Sequence, residues 1–209
     1  PAWSITWGVV CVPFLIAAFV SLKKKFEKEP KSFVLLALCG AFAFVLSALK
    51  IPSLTGSCSH PTGVALGAIL FGPFAMSLVS LIVLLFQAIL LAHGGITTLG
   101  ANNFSMGIAG PIVSFVVFKG LKKAKLPTGL SVFFAALLGD LATYVVTAVQ
   151  LALAHPENGN ILASLIKFLS IFALTQIPLA VCEGLVTVVV FGIIEKYGKR
   201  ELKALNIFQ

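Results

Sequence analysis

The chain has 209 residues, 59% hydrophobic and only 11% charged, with a mean hydropathy of +1.07 and a formal net charge of +8. Soluble globular domains carry about 25% charged residues, so this composition excludes a soluble domain and predicts an all-helical, polytopic membrane bundle of one domain over residues 1–209. The positive charge invites a nucleic-acid reading, which its placement removes: 13 of the 15 basic residues lie in Lys23–Lys31, Lys119–Lys125 and Lys196–Lys203, between or after apolar runs. That is how the positive-inside rule marks cytoplasmic loops, and such clusters also attract anionic lipid headgroups.

Apolar runs of about twenty residues mark the spans. The first, Trp3–Leu22, lacks a basic n-region and an A-x-A cleavage pattern and is read as a retained span. Ser32–Leu49 follows, then Val64–Phe71, which at about 1.5 Å per residue cannot cross a bilayer as a straight helix. Gly72-Pro73 ends it, because glycine tolerates the turn and proline lacks an N–H. Beyond lie Phe74–Ala92, Phe104–Phe118, Leu130–Ala154 and a long Ile161–Ile194. A break at Gly72-Pro73 puts all three basic clusters on one side, whereas an unbroken helix would divide them. The expectation is therefore about seven segments, with the N-terminus outside and the C-terminus cytoplasmic.

Two polar loops rich in small residues then share the outer side. One is Leu54–Gly63, with His60 at its centre; the other runs from Ala92 to Asn103. Non-helical backbone persists near a membrane only where protein or a watery cavity satisfies its polar groups, so the loops are expected to line a binding cavity. Ordinary connecting loops are the alternative. Neutral imidazole is a borderline donor suited to cobalt, nickel, copper or zinc, which makes His60 the candidate metal ligand. Ser57, Cys58 and Ser59 flank it. His93, Asn102 and Asn103 could orient it from the second loop, since ligand imidazoles usually give their other nitrogen to a polar partner, or could simply cap helices.

Asp140 and Glu183 are the only acids deep in apolar segments, both about 18–20 Å from the basic face by helical rise. Intramembrane acids are costly and often functional. A proton or cation path, a pair sharing one proton, and plain hydrogen bonding to Gln87, Gln150 or Gln176 are the readings, with the last preferred. Cys11, Cys39 and Cys182 lie in apolar runs as small buried hydrophobes, and no C-x-x-C spacing supports a redox or zinc pair. Ala37-x-x-x-Ala41 is a small-xxx-small pair suited to close helix contact, with a partner subunit or within the bundle. No phosphate-binding loop with its lysine is present, so the chain is not expected to hydrolyse ATP. H-E-x-x-H and G-x-S-x-G are absent as well, and an intramembrane enzyme would lack a visible catalytic set.

Four strings carry a family resemblance: Ala41 to Gly63, Leu84 to Asn103, Gly139 to Thr147, and Ala173 to Gly184. They closely resemble CbiM, the substrate-capture family of energy-coupling-factor cobalt transporters, and the resemblance covers nearly the whole chain. It implies a multi-pass protein of a prokaryotic cell membrane that binds Co²⁺ from outside, with Ni²⁺ as the alternative ion. It also implies a membrane coupling subunit, cytoplasmic ATPase subunits and a small accessory membrane subunit as partners, in a system feeding cobalamin synthesis. His60 matches the family's loop histidine ligand. The other family ligands come from a Met-His start, whose amine and histidine suit a square-planar nitrogen site. No Met-His precedes Pro1 in this sequence. Either the start lies outside it or the chain does not hold metal tightly, and the first is preferred. A self-sufficient proton-coupled carrier built on Asp140 and Glu183 is the rival of a different class.

Overall fold

The structure, a computed structural model, describes residues 2–52, 58–199, 202 and 205. Seven helices account for most of it: α1 (Ala2–Lys28), α2 (Ser32–Ala48), α3 (Val64–Phe71), α4 (Pro73–Leu90), α5 (Ile96–Lys123), α6 (Thr128–Ala154) and α7 (Ile161–Tyr197). Five contain stretches long and apolar enough to cross a bilayer: α1 over Ile5–Lys28, α4, α5, α6 and α7. Helix α2 is apolar but has 17 residues, about 26 Å at 1.5 Å per residue, close to the minimum for a hydrocarbon core of about 30 Å.

Helix α3 is the hub. All eight of its residues are buried, and it packs against α2, α4, α5, α6 and α7. It stops where the sequence predicts. Gly72 takes φ 90°, open only to glycine at little cost, and Pro73 opens α4 at a position whose N–H has no helical partner anyway. Helices α6 and α7 form a long antiparallel pair. The turn between them is closed by Asn160, whose side chain accepts from Ala163 N at 3.0 Å and caps α7.

The ends of the bundle differ. Leu22, Phe71, Phe118 and Phe191 share one packed cluster, which gathers the C-terminal parts of α1, α3, α5 and α7. Lys25 Nζ lies 4.8 Å from the Phe71 ring centroid. The basic residues in the last turns of α1, α5 and α7, Lys25 and Lys28, Lys122 and Lys123, and Lys196, accordingly lie at this end of the bundle. At the opposite end a short antiparallel pair, β1 (Ile51–Pro52) and β2 (Cys58–Ser59), pins the two ends of the first loop in the register Ile51–Ser59 and Pro52–Cys58.

Expected boundaries move most on α1 and α5, the latter also ending at Lys123 rather than Phe118. Helix α1 runs six residues past Leu22, because Lys23 to Lys28 are good helix formers and basic residues favour a helix C-terminus. Helix α5 begins at Ile96 rather than Phe104, so much of the predicted second loop is helical. Pro111 lies within it, at the start of its last α-helical segment, and does not stop it. Asn103–Ala109 widens into a π-helical stretch before Gly110, turning a polar strip of the helix inward.

Candidate metal site

His60 follows β2 directly and precedes Pro61, Thr62 and Gly63 at the start of α3. Gly63 adopts φ 67°, and a Cβ there would fall 2.7 Å from Ala43 Cα, so the turn requires glycine. His60 Nδ1 lies 3.0 Å from the Pro61 carbonyl oxygen. A carbonyl only accepts, so the proton sits on Nδ1 and the Nε2 lone pair is free for a cation. Burial pushes the imidazole down to about 4; the Pro61 contact works against that, and neighbouring His93 adds slightly to it. At neutral pH His60 is therefore a neutral donor.

Its main chain is held as firmly as its ring. Tyr144 Oη accepts from His60 N at 2.9 Å and donates to His60 O at 3.1 Å. Gln176 Nε2 donates to the same carbonyl at 3.1 Å and also to the Asp140 carboxyl. One residue beyond Pro61, Thr62 gives both its N–H and its hydroxyl to Glu183. Helices α6 and α7 thus grip the loop from below through four polar side chains, three of them 1% exposed or less.

Above this clamp is a cavity of about 290 Å³ lined by residues including Cys58, His60, His93, Asn102, Met106 and Tyr144. The His60 and His93 rings meet edge to face with centroids 4.8 Å apart. His93 Nδ1 is buried without a hydrogen-bond partner. Burial, then the Lys50 charge, pushes this imidazole down as well.

The predicted residues separate into groups. Cys58, His60, His93 and Asn102 come together around the cavity. Ser59 is fully buried and turns to Thr175, at 2.7 Å between hydroxyls. Asn103 lines a different, mainly apolar cleft with Cys11 and Gly100. Ser57 lies outside the described residues. The orienting partner of His60 is the Pro61 carbonyl, not His93, Asn102 or Asn103, because the turn brings that oxygen to Nδ1 without help from the second loop. Among the described residues no group of three or more His, Cys, Asp or Glu side chains is arranged to hold an ion by itself.

Asp140 and Glu183 do meet, within side-chain hydrogen-bonding contact beneath the loop. The preferred glutamine reading holds for Asp140 through Gln176. Gln87 goes instead to Ser47, and Gln150 to the Ala101 carbonyl at 3.2 Å. Cys11 and Cys39 are buried as expected, whereas Cys182 is exposed on α7. Ala37 and Ala41 are exposed and line an apolar groove between α2 and α4.

Sequence reasoning did not single out Tyr144 or Thr62, and it gave Gln176 only as a partner for the acids. Tyr144 had a signal. It lies four residues after Asp140, as Gln176 lies seven before Glu183, each spacing placing a polar pair on one helical face.

A family profile described as the cobalt uptake substrate-specific transmembrane region, CbiM, matches residues 1–201. This chain belongs to the CbiM family. Cobalt transport protein CbiM of Ruminiclostridium cellulolyticum is 64% identical over 207 residues, covering 99% of this chain and 84% of that protein. The protein of the same name from Clostridioides difficile is 60% identical over 205 residues, covering 98% and 82%. A crystal structure of a truncated transition metal transporter superposes with TM-score 0.82 at 28% identity, over 94% of this chain and 95% of that one. A second transition metal transporter structure gives TM-score 0.80 at 27% identity, over 92% and 88%. Membership in the CbiM family and this fold support a multi-pass membrane transport component concerned with metal uptake rather than an enzyme.

Proposed function

We propose that the chain is a single-domain capture subunit that takes Co²⁺ from the outer side of a prokaryotic cell membrane, with His60 Nε2 as a ligand. The observation that carries this reading is the preset imidazole: its tautomer is fixed by Pro61, its nitrogen is neutral, and its main chain is clamped from two helices. One imidazole does not complete a coordination shell. Further nitrogen donors are assigned to a Met-His start preceding Pro1, of the kind the family resemblance implies. Cys58, His93 and Asn102 form the cavity wall around the ion.

The basic ends of α1, α5 and α7 face the cytoplasm in this reading, where the positive-inside rule puts them. Uptake is driven by ATP hydrolysis on partner subunits, through a membrane coupling subunit and a small accessory subunit, and supplies cobalamin synthesis. The exposed Ala37–Ala41 face of α2 is the proposed contact for the coupling subunit, since small residues let helices approach closely.

The decisive test is equilibrium binding of Co²⁺ and Ni²⁺ to the protein carrying a Met-His start, beside a His60→Ala variant and a form beginning at Pro1. Tight binding only with the start present and His60 intact is expected, with cobalt selected over nickel. A generic nitrogen site would favour nickel, so preference for nickel would reassign the substrate. Equal binding by all three forms would remove His60 from the mechanism. Uptake that persists without any ATPase and is lost in Asp140→Asn would favour the proton-coupled carrier instead.

A further inference from the structure

The acids beneath the loop have unequal hydrogen-bond partners. Glu183 is 1% exposed and receives only donors: the N–H and hydroxyl of Thr62, and the N–H of Gly63. The two backbone N–H groups can only donate and so suit a carboxylate, and the Thr62 hydroxyl, which can donate or accept, completes its donor set. Asp140 is fully buried, receives Gln176 Nε2 on Oδ2 and lies beside the Thr62 N–H that it shares with Glu183, while Oδ1 has no hydrogen-bond partner. An ionised Asp140 would leave that oxygen orphaned against a second anion. A proton on Asp140, given to Glu183, resolves both problems with one hydrogen bond.

The carboxylate has a structural counterpart. Helix α3 has no side-chain N-cap of its own, because its N-cap residue is Gly63. The N–H groups of Thr62 and Gly63 converge on Glu183, so α7 supplies to the start of α3 the anion that its sequence lacks. Negative charge is favoured at that end of a helix. The same contact fixes the two residues that follow His60-Pro61, while Gln176 ties Asp140 to the His60 carbonyl.

We propose that Asp140 is held as a neutral acid donating to an ionised Glu183, and that this pair is the positioning device for the His60 loop. The inference rests on the metal-capture reading for its purpose but not for its test. It makes the acids unequal. An amide can replace the Asp140 carboxyl, since the asparagine side chain of Asp140→Asn can still donate to Glu183 and accept from Gln176. The amide of Glu183→Gln would instead turn an NH₂ group toward donors.

The experiment is infrared spectroscopy of the full-length protein in detergent, in H₂O and D₂O, for wild type, Asp140→Asn and Glu183→Gln. A protonated-carboxyl C=O band present in wild type and absent in Asp140→Asn is expected. No such band, or one that disappears only in Glu183→Gln, overturns the assignment whatever the metal does. The positioning role is then read from Co²⁺ binding and from the visible spectrum of bound cobalt. Asp140→Asn should stay within threefold of wild type with an unchanged spectrum. Asp140→Leu and Glu183→Gln should each lose about ten- to a hundredfold in affinity, the usual range for residues that orient a ligand. A threefold or smaller effect in both, in variants that still bind through His60, refutes positioning but leaves metal capture standing.

Discussion

Replacing Tyr144 with phenylalanine tests the main-chain clamp with a single atom. The ring is retained, with its contacts to Phe172 (centroids 5.2 Å) and His60 (6.1 Å). The hydroxyl takes two hydrogen bonds with it, but their losses are unequal. The His60 carbonyl keeps Gln176 at 3.1 Å, while the His60 N–H has no other partner among the described residues. An orphaned buried donor costs about 1–3 kcal/mol. Whatever part of that falls on the clamped loop is lost from binding, and about 1.4 kcal/mol corresponds to tenfold in affinity. The expectation is about tenfold weaker cobalt binding in Tyr144→Phe, measured by equilibrium dialysis of the full-length protein in detergent, with the spectrum of bound cobalt retained. Tyr197→Phe is the control, since Tyr197 is 76% exposed. If Tyr144→Phe matches wild type within threefold while His60→Ala abolishes binding, the clamp contributes nothing to capture and the argument from main-chain positioning fails.

Gly63→Ala combines a left-handed residue, worth about 1–2 kcal/mol, with a Cβ 2.7 Å from Ala43 Cα; it should lower Tm by at least ~4 °C in a thermal melt, and a smaller shift would mean that the turn relaxes freely. Acid should weaken the fold through His60: the folded value is about 4 against an ordinary 6.5, so its contribution is complete above pH 6.5 and is lost progressively as pH falls to about 4. The stability gap between wild type and His60→Gln, followed by chemical denaturation, should therefore narrow over that window, and a pH-independent gap would contradict the neutral imidazole. Ala37→Trp or Ala41→Trp should abolish co-purification with the membrane coupling subunit without changing cobalt binding, and intact assembly would remove that face from the interface.

Long apolar runs make the helices readable in sequence, and the break at Gly72-Pro73 was readable because both residues oppose helix continuity. Helix ends were less so. Lys23–Lys28 extends α1 since charged, flexible side chains are good helix formers outside the hydrocarbon. The start of α5 was hidden because Gly100, Asn102 and Asn103 resemble loop residues, yet they sit in helix and π-helix here. At the site, His60 was visible as a polar outlier in a loop between apolar segments. The clamp on it was not, because its members come from α6 and α7, 84 to 121 residues away. Asn102 and Asn103 show the same limit in miniature. Adjacent and chemically identical, they point into different cavities, as a step of about 100° per residue requires.

The central position of α3 governs the order in which this protein can be built. A helix of eight residues is about 12 Å long, too short for a translocon to release into lipid as a span. Its walls come from helices on both sides of it in sequence, including α5, α6 and α7, which are synthesised later. Nascent chain emerging after α2 therefore has no finished place to go. The segment bearing His60 must wait, tethered between α2 and α4, until the C-terminal half arrives to enclose it. A chain stalled or truncated before α6 would retain the apolar helices α1, α4 and α5 but lack Tyr144, Gln176 and Glu183, which hold the loop.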